Sequence, residues 1–358
     1  MKVSLVKAGD LPSEEVAHWA ALQASNPALV SPYFCPHFTL AVAKVRSDVF
    51  VGIIENKGEI TGFFPFQLHG RGVGKPVGWP LSDYHGVVTA PGVTCDALSL
   101  IRACGLSVFD FDHLLASQEG FAPYHLDTEG SPYLDLSQGY DHYVEARGRD
   151  GTKVVNSRMA SKWRKMEREF GEFRFEARSI DDQAMDTLRA WKSAQYRRTN
   201  APDIFAYSWP VRLLEDVLRC EEADFGGLLS TLHAGDQLVA VHLGLHSKSI
   251  WHYWFPAYGV EFSKYSPGYY LILQMAQTAN DMGLTTIDLG KGSLDYKQRL
   301  ASGSVTVASG YVAKASVAAA QRRLWRASTA FVEALPFEPL SQWPKKAIRR
   351  LNAINRKP

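Results

Sequence analysis

The chain has 358 residues, 46% of them hydrophobic and 12% aromatic, and a net charge of +2. That composition supports sizeable buried cores, which excludes a disordered, fibrous or low-complexity protein, and the length predicts two domains rather than one. Four cysteines without CxxC spacing and a start lacking the apolar core of a signal peptide predict reduced thiols in a cytoplasmic protein, and no stretch approaches the roughly 20 apolar residues of a membrane span.

In chain order, a helix is expected over 13–24, with Ser13 as its cap and Glu14 and Glu15 in its first turn. A second helix follows over 37–46. Strands over 49–54 and 60–67 form a hairpin about the Asn56-Lys57-Gly58-Glu59 turn. A Gly/Pro-rich stretch, 70–80, leads to Asp83-Tyr84-His85 and then Pro91-Gly92. A helix over 94–104 and strands over 107–112 and 133–136 close this part. Three glycines and many charges within 138–151 predict a domain boundary there. Beyond it come a strongly basic helix over 153–170, a strand over 173–177 and helices over 181–198 and 208–221. A hairpin about Ala234-Gly235-Asp236 has 238–245 as its second strand and precedes an aromatic strand over 250–258. Ser266-Pro267-Gly268 then opens a helix over 269–282, with strands over 286–289 and 305–313 after it.

The second half repeats the order of the first. The turn glycine precedes the Pro-Gly glycine by 34 residues in one copy (58 to 92) and 33 in the other (235 to 268). A glycine precedes the strand aspartate by five in both, 105 to 110 and 283 to 288. Such self-similarity marks two copies of one supersecondary unit. The expected organisation is therefore residues 1–150, residues 151–320 and a basic amphipathic tail over 321–358. The tail has nine basic residues against Glu333 and Glu338, on a body with 30 basic and 35 acidic residues. It suits an anionic partner, a cyclic dinucleotide or a membrane surface, or else a solvated helix face.

Gly268 at a helix start leaves free N–H groups at the positive end of the helix dipole, with Lys264 nearby. A phosphate could sit there, although ordinary helix initiation gives the same pattern. Asp83 and His85 follow a Gly/Pro-rich loop and are candidate proton acceptors; the alternative is a capping aspartate and a solvent-facing histidine. His242 and His246, four apart on one strand, are too far apart to share a metal. No Cys/His/carboxylate grouping has metal spacing, so no metal is expected. Trp163 on the basic helix could stack on a sugar ring or pack in a core. No helix-turn-helix or zinc pattern points to DNA.

The sequences His252-Tyr253-Trp254-Phe255-Pro256-Ala257-Tyr258, Lys264-Tyr265-Ser266-Pro267-Gly268, Asp288-Leu289-Gly290-Lys291-Gly292 and Tyr296-Lys297 resemble the GNAT acyltransferases of the CelD/BcsL type, which act in bacterial polysaccharide synthesis and are similar to FemAB-like tandem-GNAT proteins. The resemblance runs from Trp19 to about Ala313 and is strongest over 227–300. It implies an α/β fold of mixed sheets in two tandem GNAT-like units with flanking helices, only the second holding acyl-CoA. The first copy's Ala90-Pro91-Gly92-Val93 lacks a nearby Lys or Arg, and Asp295 stands alone where the family often has an acidic pair.

The resemblance assigns acetyl-CoA, or another acyl-CoA, to Trp254, Lys264, Tyr265, Ser266, Pro267, Gly268 and Tyr269. A backbone amide within 253–258 polarises the carbonyl, and Tyr296, beside Lys297, stands where many such enzymes keep a general acid. Asp83, which matches an Asp-Tyr pair of the family, His85 and Asp288 complete the candidate catalytic set. The implied reaction is N-acetylation of an amino sugar or glycan precursor, in the cytoplasm or at the inner face of a membrane. The alternatives are an aminoacyl-tRNA-dependent FemAB-like transferase and a regulated binding protein of exopolysaccharide synthesis.

Overall fold

The computed structural model describes residues 2–70 and 72–313; the basic tail predicted over 321–358 lies outside the described residues. Strand β1 (Lys2–Lys7) is followed by helices α1 (Ser13–Ser25) and α2 (Pro36–Val45). The hairpin β2 (Val49–Asn56) and β3 (Glu59–His69) comes next, then the short strands β4 (Val73–Lys75) and β5 (Val88–Thr89). Helix α3 (Ala97–Ala103), strands β6 (Val108–Leu115) and β7 (His125–Asp135) and helix α4 (Tyr140–Arg149) complete the first half. The second half contains α5 (Ser157–Phe170), β8 (Phe173–Glu176), α6 (Asp182–Arg198), α7 (Ser208–Leu218), β9 (Phe225–Ala234), β10 (Gln237–Ser247) and β11 (Ile250–Tyr258). It ends with α8 (Pro267–Thr278), β12 (Thr286–Asp288), α9 (Asp295–Leu300) and β13 (Gly303–Ala313).

The mixed α/β class expected from the sequence is the class observed, but the strands make one sheet rather than two. Its order is β1-β2-β3-β4-β6-β13-β7-β12-β11-β10-β9-β8, with β5 paired to β3. The halves interleave at its centre. Strand β13, the last of the second half, lies between β6 and β7 of the first, and β7 pairs with β12 of the second. The boundary predicted near residue 150 thus falls between α4 and α5, while the sheet continues across it.

Three cores flank this sheet. One is shared by both halves: Trp19, Phe38 and Phe63 pack in the same cluster as Leu213, Val241 and Phe255. A second lies under α8, around Trp251, Ile272 and Ile287. The third lies under α3, around Phe64, Leu100 and Phe109. Among the described residues no helix is long and apolar enough to cross a membrane.

Several elements escape periodicity. Helix α4 is polar and buries Tyr143 alone, whose hydroxyl donates to the Leu300 carbonyl at 2.7 Å; a single anchor leaves no stripe to read. Ser13 lies inside α1 rather than capping it, with Pro12 at the cap position. Asp96 caps α3 by accepting from Ser99 N, so that helix starts later than expected.

The two hairpin turns differ in their surroundings. Gly58 (φ +87°) and Gly235 (φ +56°) both occupy left-handed backbone. A Cβ at Gly58 would meet nothing within 4 Å, whereas one at Gly235 would lie 2.1 Å from the Phe170 carbonyl oxygen. Gly58→Ala is expected to lose about 1 kcal/mol of stability from conformation alone, and Gly235→Ala about 1–3 kcal/mol because the backbone must also shift. Urea midpoints would compare them; equal losses would contradict the close approach.

Candidate functional site

The candidate centre lies at the seam between the halves, where β11 and β12 run parallel for three residue pairs, ending at His252↔Asp288. Beyond that pair β12 stops, and β11 continues to Tyr258 with β10 as its strand partner. The two parallel strands therefore part after His252.

His252 is fully buried, and a buried imidazole needs partners. Its Nδ1 lies 2.9 Å from Asp288 Oδ2 and its Nε2 lies 3.1 Å from Asp83 Oδ2. Although burial works against the charged form, the two carboxylates prevail and push its pKa up to about 9. His252 is thus an imidazolium at neutral pH. Burial raises the Asp83 carboxyl pKa, but His252 outweighs it and the net shift is downward.

The two carboxylates differ in access. Asp288 is buried; its Oδ1 accepts from Gly290 N at 2.9 Å and from Ser131 Oγ at 3.4 Å, and Ser131 in turn accepts from the Tyr84 hydroxyl at 2.8 Å. The Asp83 side chain retains 28% exposure, against 6% for Asp288. Asp83 is therefore the member of this triad that can reach a substrate. Its loop is held from both halves, because the Leu81 carbonyl accepts from Trp254 Nε1 at 2.7 Å and from the Tyr33 hydroxyl at 3.5 Å. The Tyr33 ring packs edge-on against His252. A Cβ at Gly290 would lie 2.7 Å from Asp83 Oδ2, so this close approach requires glycine.

The sequence-predicted catalytic residues divide accordingly. Asp83 and Asp288 meet through His252, which sequence reasoning named only within the family-like stretch His252–Tyr258 and gave no role. Lys297 lies behind them; its ammonium donates to the Gly290 and Lys291 carbonyls at 2.9 Å each, and burial lowers its pKa. It braces the loop after β12. Tyr296, at the start of α9, is half-buried against the core under α8, and burial keeps its phenol protonated, pushed up to about 12. His85 is not in this triad. It is buried beside Asp112 and His113, with Nε2 3.1 Å from the Ser82 carbonyl, so the solvent-facing alternative is also excluded.

The predicted cofactor segment forms the start of α8. Ser266 adopts left-handed backbone (φ 57°), Pro267 is the first helical residue, and no side chain caps the helix. A Cβ at Gly268 would meet only the Tyr258 ring, at 3.6 Å and beyond, so the backbone there is open to a ligand. Lys162 of α5 donates to Ser266 Oγ at 3.3 Å, and Lys264 is exposed. The uncapped helix start, the open glycine and these two ammonium groups fit an anionic pyrophosphate.

Other members of the set are occupied elsewhere. The Tyr265 hydroxyl bonds Glu169, the Tyr269 hydroxyl donates to the Val154 carbonyl at 2.7 Å, and Pro267 is buried. Trp254 packs toward the first half. The hydroxyls of Tyr265 and Tyr269 and the Trp254 indole N–H are therefore already bonded within the protein. Trp163 is in the core, against Tyr269 and Tyr270. The first copy has no equivalent site: Pro91 and Gly92 form a turn that starts no helix, and the three-residue β4, antiparallel to β3 and parallel to β6, stands where the second copy has the nine-residue β11.

Residues 154–298 match the family model described as an acetyltransferase (GNAT) domain. No curated protein matches the chain. Among solved structures, FemX is similar over 83% of this chain and 94% of its own, at 11% identity and a TM-score of 0.53. The C-terminal DUF2156 domain of an Agrobacterium fabrum protein described as a lysylphosphatidylglycerol synthetase is similar over 88% of this chain and 96% of its own, at 13% identity and a TM-score of 0.50. A tandem GNAT protein from the clavulanic acid biosynthesis pathway is similar at 12% identity and a TM-score of 0.48, over 88% of this chain and 100% of its own. The likenesses to solved structures are of fold; the domain match makes the second half a GNAT-type acyltransferase domain.

Proposed function

We propose that the chain is an acyl-CoA-dependent N-acyltransferase of the CelD/BcsL type, acting on an amino sugar in exopolysaccharide or cell-surface glycan assembly. The observation that carries this reading is the position of Asp83: an accessible carboxylate from the first half, held at the point where β11 and β12 part in the second. Gly268, Lys162 and Lys264 would hold the pyrophosphate of acyl-CoA, which supplies an acyl group activated as a thioester. Asp83 draws in the acceptor as its ammonium and takes up one of the two protons the nitrogen loses as the C–N bond forms and the C–S bond breaks; the other ends on the departing coenzyme A thiol. Asp288 and His252 fix the Asp83 carboxylate in place, and Tyr296 is a protonated phenol available as a donor. The amine specificity follows from Asp83, and the sugar from the family resemblance.

Calorimetric titration of acetyl-CoA into the wild type and into Gly268→Trp tests the cofactor site. Micromolar binding by the wild type is expected, with at least a tenfold loss in the variant, whose indole would fill the open helix start. A folded wild type that binds no acetyl-CoA would overturn the reading. It would favour aminoacyl-tRNA as donor instead, which the exposed cations Arg158, Arg164, Lys165 and Arg168 of α5 would suit.

A further inference from the structure

We infer that His85, Asp112 and His113 form a binding site for a divalent transition metal of the zinc class, beside the His252 triad and independent of the acyl-transfer reading. The sequence held no metal spacing because His85 is remote in the chain from the other two. The fold joins them by pinning residue 85 to β6. His85 N donates to the His113 carbonyl at 3.0 Å, and Leu115 N donates to the His85 carbonyl at 3.1 Å.

The three side chains then converge, each offering one ligand atom, and these atoms lie within 4.8 Å of one another. Asp112 Oδ1 lies 3.6 Å from His85 Nδ1 and 3.1 Å from His113 Nδ1. Ligands at ordinary zinc bond lengths around a tetrahedral ion are separated by about 3.4 Å. Each of the three atoms is shielded from solvent, and none makes a well-aligned hydrogen bond, the 3.1 Å approach of His113 Nδ1 to Asp112 Oδ1 included. Buried polar atoms are rarely left in this state, least of all three together. His85 is itself only 4% exposed. A cation between the atoms satisfies all of them at once.

The surrounding contacts suit ligands. His85 Nε2 lies 3.1 Å from both the Ser82 carbonyl and the Ser82 hydroxyl; with its proton donated to the carbonyl, which can only accept, the Nδ1 lone pair is turned toward Asp112. His113 Nε2 faces Asp83 Oδ1 at 3.7 Å, the histidine–carboxylate arrangement that commonly backs a metal-bound imidazole. Asp112 Oδ2 accepts from Trp79 Nε1 at 3.3 Å, leaving Oδ1 for the ion. The nearby Lys291 ammonium does not fill the position, since it donates to the Asp112 main-chain carbonyl and to Ser309 Oγ. Two imidazoles and one carboxylate form a borderline donor set suited to zinc or cobalt(II). Metal at His113 Nδ1 would direct the Nε2 proton toward Asp83, so occupancy would also help to orient that carboxylate.

The test uses the full chain, free of affinity tags and stripped with a chelator that is then removed. Zinc is titrated by calorimetry, and cobalt(II) is followed by its visible absorption. The wild type is expected to take up one equivalent, with weakening of about 100-fold or more in Asp112→Asn and in His113→Gln. Its melting temperature should rise with zinc while those of the variants do not. Failure of the wild type to bind one equivalent would overturn the site. Wild-type affinity in both variants would do so too, by assigning the metal to other histidines. The wild-type stoichiometry decides alone if a variant fails to fold.

Discussion

Asp83→Asn is expected to lower kcat/KM for acyl transfer by about 10²–10⁴-fold, the range of a positioned proton acceptor. Asn keeps the shape of the side chain, and His252 keeps its 2.9 Å contact with Asp288, so the variant should fold. The loss should fall on kcat and on the KM of the acceptor. Acyl-CoA binding should be unchanged, because Gly268, Lys162 and Lys264 are untouched. Thiol release from acetyl-CoA, measured with an amino sugar that supports wild-type turnover, reads both parameters. Wild-type kcat/KM in this variant would remove Asp83 from the chemistry and with it the argument for an amine acceptor.

The second large effect concerns stability. His252→Gln removes the cation between two carboxylates and leaves them facing each other in a buried site; a loss of about 3–5 kcal/mol is expected. It should depend on pH with a definite sign. The folded pKa of His252, about 9, lies above the ordinary value of 6.5. Its contribution is therefore fully present below pH 6.5 and is lost as pH rises through 9. At about 1.4 kcal/mol per unit the window is worth about 3 kcal/mol. The raised imidazolium and the lowered Asp83 carboxyl express one interaction, which is counted once. Urea unfolding of wild type and variant at several values between pH 6 and pH 9.5 measures it. The difference between the two proteins should shrink as pH rises, and a constant difference would show that His252 carries no such charge.

Much of the local structure was legible. Turn glycines at 58 and 235 mark both hairpins, and Ser266-Pro267-Gly268 marks the start of α8, because turn and helix-start chemistry depends on a few adjacent residues. Asp83, Asp288 and Lys297 stood out as charges beside loops and strand ends. His252 was missed, although an imidazole within an apolar strand must find a partner once buried, and that alone could have singled it out. His85 was paired with Asp83 on proximity in sequence; a bridge to β6 carries it instead to Asp112 and His113.

The sequence by itself determined the repeat and the hairpins, since these rest on the spacing of turn residues that close within the chain's own neighbourhood, and its resemblance to a family carried the fold class. Only the tertiary structure decided that the two copies share one sheet and that Asp83 of the first meets His252 of the second. That meeting depends on β13 lying between β6 and β7 and on β7 pairing with β12. These pairings join strands far apart in sequence, and their register is set by backbone hydrogen bonds and buried faces that no local pattern encodes.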